Sequence, residues 1–301
     1  MSAPRAGAAG LAAESSRAGF ADWAVLCKVR LNSMVVATTF GGAWLGSDGR
    51  APASLLLHAA AGTALTAFGA SAINMVMERR TDALMERTRR RPIPAGRISP
   101  AEGALFGSLL AGAGLAWLAL GTNLLATALA AITLATYLVV YTPMKLRSAS
   151  NTLVGAVPGA VPPMIGWAAA GNGLDAGAWV LFGILYLWQI PHFLSIAWLY
   201  REDYRRAGFV MLPGLDGDGA AAGRHAVRYA VALLAVSLCA PAAGLAGAPY
   251  AAGAVLLGAG FVAAAAAFAR SRNDARARRL LHASLLYLPL LFLLMGLDRG
   301  R

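Results

Sequence analysis

Charge is scarce in this chain. Asp, Glu, Lys and Arg supply 13% of its 301 residues, about half of the share found in a soluble domain. Acidic residues are scarcer still, 14 against 26 basic ones. Cysteine is almost absent: Cys27 and Cys239 stand far apart in apolar surroundings, with no CxxC or CxxCH between them. They are read as packing residues, and neither a disulfide framework nor a covalent haem attachment is expected. The sequence also lacks a Walker motif, a GxSxG elbow, a Cys/His zinc pattern and sustained heptads, which removes the nucleotide-hydrolase, serine-hydrolase, zinc and coiled-coil classes.

Apolar residues fill the space that charge leaves. They make up 58% of the chain and raise the mean hydropathy to +0.60, the composition of a polytopic membrane protein. A bilayer-spanning helix needs about 20 mostly apolar residues. Runs of that length fall near 25–46, 55–77, 103–121, 124–142, 152–170, 178–199, 226–246, 249–268 and 280–297, which predicts an all-α fold of nine transmembrane helices. Residues 1–20 have charges at Arg5, Glu14 and Arg17 and no unbroken apolar stretch. A flexible cytoplasmic tail is therefore expected there instead of a cleaved signal peptide, followed by a single membrane domain over 21–301.

The net charge of +12 raises the question of nucleic acid, and the placement of the basic residues answers it. Alternating loops collect 23 of the 26 lysines and arginines, seven of them between the second and third spans. The other side keeps only Arg50, Arg299 and Arg301. This is the positive-inside pattern of a protein with its N-terminus in the cytoplasm and its C-terminus outside. The partner it implies is the lipid bilayer, and nucleic acid is not expected.

The densest charge follows the second span. Residues 74–92, NMVMERRTDALMERTRRRP, contain three carboxylates and six arginines. Asn74, Glu78, Asp82 and Glu86 recur every four residues, which on a helix sets them on one face. Like charges at that spacing repel unless a cation lies between them, and oxygen-only donors of this kind suit Mg²⁺. The arginines around the row can bind phosphate oxygens in pairs of hydrogen bonds, so acid and base together describe a cradle for a metal-bound diphosphate. The bland alternative is an arginine-rich inner loop with Glu/Arg pairs. Asn74 and Glu78 at the membrane boundary weigh against it, because ionisable groups there tend to be functional.

A second constellation, LWQIPHFLSIAWLYREDYRRAGFVMLP over 187–213, places Gln189 and His192 within a proline-containing span and Arg201, Asp203 and Tyr204 beyond its end. Lys145 and Arg147 follow YTP at 141–143 and add phosphate-binding capacity on the same side. Trp188, Phe193, Tyr141 and Trp198 are candidates to face an allylic cation, with membrane-interface packing as the alternative reading, favoured for Trp198.

Three motifs carry a family resemblance. NxxxExxxDxxMxRTxxRP (Asn74 to Pro92), YTPxK…SxxNTxVGAVPGAxPPxxGW (141–167) and WQxPHFxxxAxxxxxDYxxAGxxMLP (188–213) resemble the haem O synthases, the protohaem IX farnesyltransferases within the intramembrane UbiA-type prenyltransferases. CKVRLNSMVVATTFGGAWLG, from Cys27, is similar to the first span of that family. The resemblance implies nine helices around a central cavity in the bacterial inner membrane, farnesyl diphosphate held through Mg²⁺, and haem b as the acceptor. A haem-handling protein or haem A synthase is the implied protein partner. It further implies metal ligation by Asn74, Glu78, Asp82 and Asp203, and catalytic roles for Glu78, Asp82, Lys145 and Asp203. The implied substrate contacts are Arg87, Arg91, Tyr141, Gln189, His192 and Tyr204, and Arg201 joins them through the acid-and-base pattern it forms beside Asp203. The superfamily usually has a second DxxxD, but here Asp203 is followed four residues on by Ala207, which favours haem over a quinone precursor or chlorophyll-like acceptor. A transporter is the rival from another class, and nine spans divide poorly into paired inverted halves.

Overall fold

The computed structural model describes residues 18–215 and 217–299. The tail expected over 1–20 therefore lies outside the described residues as far as residue 17, and so does the C-terminal Arg301. The described residues are helical, with no strand among them. A short α1 (Phe20–Leu26) leads into α2 (Val29–Gly46), α3 (Ala53–Met77) and the short extension α4 (Arg79–Leu84). The long loop that follows ends at α5 (Pro100–Gly121). There Ser99 Oγ accepts from the Glu102 amide while Glu102 Oε2 accepts from the Ser99 amide, a capping box with proline at the first helical position that starts the helix sharply.

α6 (Leu124–Ala135) runs through a π-helical turn, Thr136–Tyr141, into α7 (Thr142–Met144). The fifth expected span divides into α8 (Asn151–Ala160) and α9 (Pro162–Ala169) because Pro162 and Pro163 lack the amide protons that would continue α8. α10 (Ala176–Leu199) is followed by the short α11 (Arg201–Arg206) and α12 (Leu212–Leu215), then by α13 (Ala220–Ser237), α14 (Ala248–Ser271) and α15 (Asp274–Arg299).

Seven of these stretches are long and apolar enough to cross a membrane: Ala53–Met77, Pro100–Gly121, Leu124–Met144, Asn151–Ala169, Ala176–Leu199, Ala248–Ser271 and Asp274–Asp298. The expectation was nine. The other two, near 25–46 and 226–246, coincide with α2 and α13, each only 18 residues long. α2 opens on Arg30 and Asn32, and α13 carries Arg224, His225 and Arg228 in its first half and ends at Ser237. Charge at their starts dilutes their hydropathy.

The helices follow one another around a ring. α3 lies against α2 and α5, α6 against α5 and α9, α10 against α8, α13 and α15, and α15 returns to α2. The innermost element is α9, all eight residues of which are buried. It crosses α2 so closely that a β-carbon on Gly166 would stand 1.9 Å from the Thr39 carbonyl oxygen, and one on Gly42 would stand 2.0 Å from that of Pro163. Apolar burial drives no helix association inside a bilayer, so close backbone approach through small residues supplies the dispersion contact that holds such a crossing.

Candidate active site

Three loops meet at the end of the bundle where the basic residues collect. The first is the end of α3 with α4. Asn74 is fully buried at the last turn of α3; its Oδ1 accepts from Lys28 Nζ at 2.8 Å and its Nδ2 donates to Thr142 Oγ1 at 3.0 Å. Glu78, which ends α3, accepts from Lys145 Nζ at 2.6 Å. Asp82 is 1% exposed, and its Oδ2 accepts from Arg91 at 2.8 Å. The backbone carbonyl of Asp82 is held by the Thr88 hydroxyl at 2.8 Å, which folds the arginine loop back over α4.

The second loop is delivered by the π-helical turn. Widening the helix there lets Thr142 Oγ1 donate to the Tyr137 carbonyl at 2.8 Å and aims the next turn at α3, a use of π-bulges common at functional sites. Lys145 then stands over the Tyr141 ring at 4.6 Å and the Phe209 ring at 5.7 Å. The third loop docks by backbone: the Val210 amide donates to the Lys145 carbonyl at 2.8 Å, and Asn151 Nδ2 donates to the Val210 carbonyl at 2.7 Å. Met85 of the first loop packs with Ala207 and Phe209 of the third, and Tyr204 and Met211 cover them.

Electrostatics follow from this convergence. Burial alone would raise the Glu78 carboxyl, but the ammonium groups of Lys145 and Lys28 and the hydrogen bonds from Lys145 and Asn74 outweigh it, so Glu78 is held below the usual glutamate range. For Lys145, burial pulls downward, and Tyr141 and Glu78 reverse it, keeping the ammonium charged well above the ordinary lysine range. Asp203 is likewise pushed up by burial and brought down further by Arg206 and the backbone amides of Glu86 and Arg87.

The expected residues are therefore not all alike. Asn74, Glu78, Asp82, Arg91, Tyr141 and Lys145 form one connected cluster. Asp203 joins it through the first loop's backbone, its Oδ1 accepting from the Glu86 amide at 3.4 Å. Arg87 lies over the Tyr200 ring at 5.1 Å. Arg201 instead donates to Asp274 Oδ1 at 3.0 Å. Tyr204 packs beside the cluster, and with Arg201, Phe209 and Met211 it lines an adjoining recess of about 220 Å³. Gln189 is buried in α10, donating to the Leu185 carbonyl at 3.0 Å. His192 faces α15, where its Nδ1 lies 2.8 Å from Ser284 Oγ. Glu86 pairs with Arg89 on the exposed surface, and Arg97 holds Asp22 at 2.9 Å, so both act as structural partners.

Sequence reading overlooked Lys28. It has a left-handed backbone, φ 47°, costly for a residue with a side chain, and that conformation turns its ammonium onto Asn74. The signal was present: a lysine inside the first apolar run is the kind of intramembrane charge that marks function, and it was counted only towards orientation.

The donor set suits a hard divalent cation. Asn74, Glu78, Asp82 and Asp203 can each offer a side-chain oxygen, and among the described residues Asp82 Oδ1 is buried without a hydrogen-bond partner. Among the described residues no three His, Cys, Asp or Glu side chains are grouped tightly enough to enclose a metal ion, so Glu78, Asp82 and Asp203 do not form one closed ligand cage; Mg²⁺ is usually held by one or two carboxylates with water and substrate phosphates.

Residues 35–292 match the UbiA prenyltransferase family. The chain belongs to that family. It is 50% identical over 244 residues to the protoheme IX farnesyltransferase of Solibacter usitatus, covering 81% of this chain and 84% of that one. With the protein of the same name from Myxococcus xanthus it shares 43% identity over 290 residues, 95% and 97% of the two chains. A solved digeranylgeranylglyceryl phosphate synthase superposes with a TM-score of 0.78 at 16% identity over 93% of this chain and 98% of that one. A UbiA homologue from Archaeoglobus fulgidus bound to GPP and Mg²⁺ superposes at 0.62 with 15% identity, 91% and 99% covered. These likenesses show the fold, and the family makes this UbiA chain a multi-pass membrane prenyltransferase.

Proposed function

We propose that this chain is a protohaem IX farnesyltransferase: it joins the farnesyl group of farnesyl diphosphate to a vinyl group of haem b, with water, to give haem O and diphosphate. The observation that carries the reading is the convergence of Asn74, Glu78 and Asp82 with Lys145 and Arg91 in a chain 50% and 43% identical to relatives bearing that name.

Asn74, Glu78, Asp82 and Asp203 would hold Mg²⁺, which neutralises the diphosphate and so makes it a better leaving group. Lys145, Arg91 and Arg87 supply fixed positive charge where negative charge grows on the departing diphosphate as the C–O bond lengthens. The apolar cover of Met85, Phe209, Tyr204 and Met211 keeps bulk water from the allylic carbon. The Tyr141 ring offers its π-face to positive charge, already used by Lys145, for about 0.5–2 kcal/mol. The vinyl carbon bonds to C1 of the farnesyl group, the new cation on the adjacent carbon takes up water, and loss of a proton leaves the hydroxyl. Residues 21–301 act as one catalytic unit in the inner membrane, with the three loops on the cytoplasmic side.

Incubation of the purified protein with haem b, farnesyl diphosphate and Mg²⁺, read by mass spectrometry, tests the assignment. Haem O is expected. Folded, haem-binding protein that yields no farnesylated haem overturns it, and prenylation of an aromatic quinone precursor in its place would assign the acceptor differently.

A further inference from the structure

His192 lies outside the loop cluster, and its surroundings specify its chemistry. It projects from α10 toward α15, stacked on the Trp188 ring with centroids 5.0 Å apart and flanked by Phe193 at 5.8 Å. Its Nδ1 is 2.8 Å from Ser284 Oγ. Ser284 is fully buried, and its hydroxyl donates to the Leu281 carbonyl one turn back at 2.6 Å. A serine hydroxyl has one proton. Assigned to the shorter of its two contacts, at Leu281, that proton leaves Ser284 Oγ as the acceptor for an N–H at Nδ1 of His192. The Trp188 indole N–H closes the arrangement by donating to the Ser284 backbone carbonyl at 2.8 Å.

The tautomer of a neutral imidazole is thereby fixed, and Nε2 presents a lone pair. Among the described residues Nε2 has no hydrogen-bond partner, and the His192 side chain is only half-buried, so the nitrogen is not sealed off. Among the described residues no carboxylate pairs with the ring to hold it as an imidazolium, and an unpaired charge inside a bilayer is costly. A neutral ring protonated at Nδ1 cannot donate from Nε2, which removes a hydrogen bond from this nitrogen to a haem propionate. It can bind a metal, and an imidazole whose other nitrogen is oriented by a hydrogen bond is the usual form of a haem or metal ligand.

Resting on the assignment of haem b as acceptor, we infer that His192 Nε2 is the axial ligand that seats the haem iron of the substrate, with Ser284 and Trp188 as positioning residues on either side of the ring. Ligation fixes the macrocycle in plane and depth. A vinyl edge is thereby held in register instead of sampling the orientations that a flat apolar disc would otherwise adopt among lipid-like walls, and such restraint lowers the entropic part of the barrier.

The full chain, loaded with ferrous haem b in nanodiscs without farnesyl diphosphate, provides the test. Wild type is expected to show an iron–histidine stretch by resonance Raman. His192→Ala should lose that band and recover a five-coordinate nitrogen-ligated spectrum when imidazole is added. Ser284→Ala, which keeps the ring but removes its acceptor, should retain haem with roughly tenfold weaker affinity and a band shifted to lower frequency. A role in packing alone would not shift that band. An unchanged iron–histidine band in His192→Ala, or haem bound to wild type with no such band, overturns the inference while haem farnesylation by the wild type leaves the functional assignment standing. A wild type that binds no haem overturns both.

Discussion

At the residue scale, each carboxylate in the site is read best by what holds it. Asp82 is the most exacting: one oxygen is occupied by Arg91, and the other is buried and unpaired. Asp82→Ala is expected to reduce farnesyl transfer by at least about 10²-fold, the usual effect of removing one electrostatic contact to a reacting centre, with expression and membrane insertion unchanged; a wild-type rate would end its role in the site. Glu78 and Lys145 form a buried pair, and replacing one partner leaves the other charge buried, a loss of about 3–5 kcal/mol. The pH dependence follows from the two shifts. Glu78 is lowered from 4.5, so its contribution is complete above that value and fades as pH falls through its lower folded value. Lys145 is raised above 10.5, so its contribution is complete below 10.5 and fades only as pH rises beyond it. Thermal unfolding of wild type and Glu78→Gln should therefore differ by a constant amount between about pH 5 and 9, with the gap narrowing in more acidic buffer. A gap that widens on acidification would contradict the pair.

At the scale of elements, the long apolar runs and the i, i+4 stripe were legible because composition and period are local properties. The stripe's helix continues from α3 into α4 with only a break at Glu78, so Asn74, Glu78 and Asp82 do share one side of it. The π-helical turn before Lys145 was not legible. Its register depends on Thr142 reaching the Tyr137 carbonyl and on Asn74 claiming Thr142 from another helix, and no hydrophobic pattern distinguishes such a turn from ordinary helix. On α8 the glycines of GAVPGAVPP make room for specific side chains, which no local pattern announces. A β-carbon on Gly155 would stand 2.3 Å from the Tyr141 ring, and one on Gly159 would stand 2.0 Å from Gln189 Oε1. Gly159→Ala should accordingly displace Gln189 and destabilise the α8–α10 contact by about 1–3 kcal/mol, the range for overpacking. Lowered detergent thermal stability checks this, with partial relief when Gln189→Ala is added; no change in either variant would show that α8 has slack to yield.

At the scale of the whole molecule, the segregation of basic residues inferred from loop counts reappears as two different ends of the bundle. At one end, loops are tied by ions: Asp82 with Arg91, Glu78 with Lys145, Arg201 with Asp274 and Asp218 with Arg272. The other end is closed mainly by neutral or capping hydrogen bonds, from Asn172 to the Gly46 carbonyl and from the Gly247 and Tyr250 amides to Asp298. The last of these places the C-terminal end of α15 beside the α13–α14 loop, so that loop and the end of α15 share a side. Cys239 is exposed there, whereas Cys27 is buried near the opposite end. In the proposed orientation the ion-rich end faces the cytoplasm, and the two native cysteines then test that orientation without engineering. A membrane-impermeant maleimide should label the wild-type protein in spheroplasts, and Cys239→Ser should abolish that labelling. In inverted vesicles Cys239 should be protected until detergent is added, while Cys27 should react slowly on either side because it is covered. Labelling of Cys239 confined to inverted vesicles would reverse the topology and place the diphosphate-binding loops on the outer face, where cytoplasmic prenyl diphosphate could not reach them.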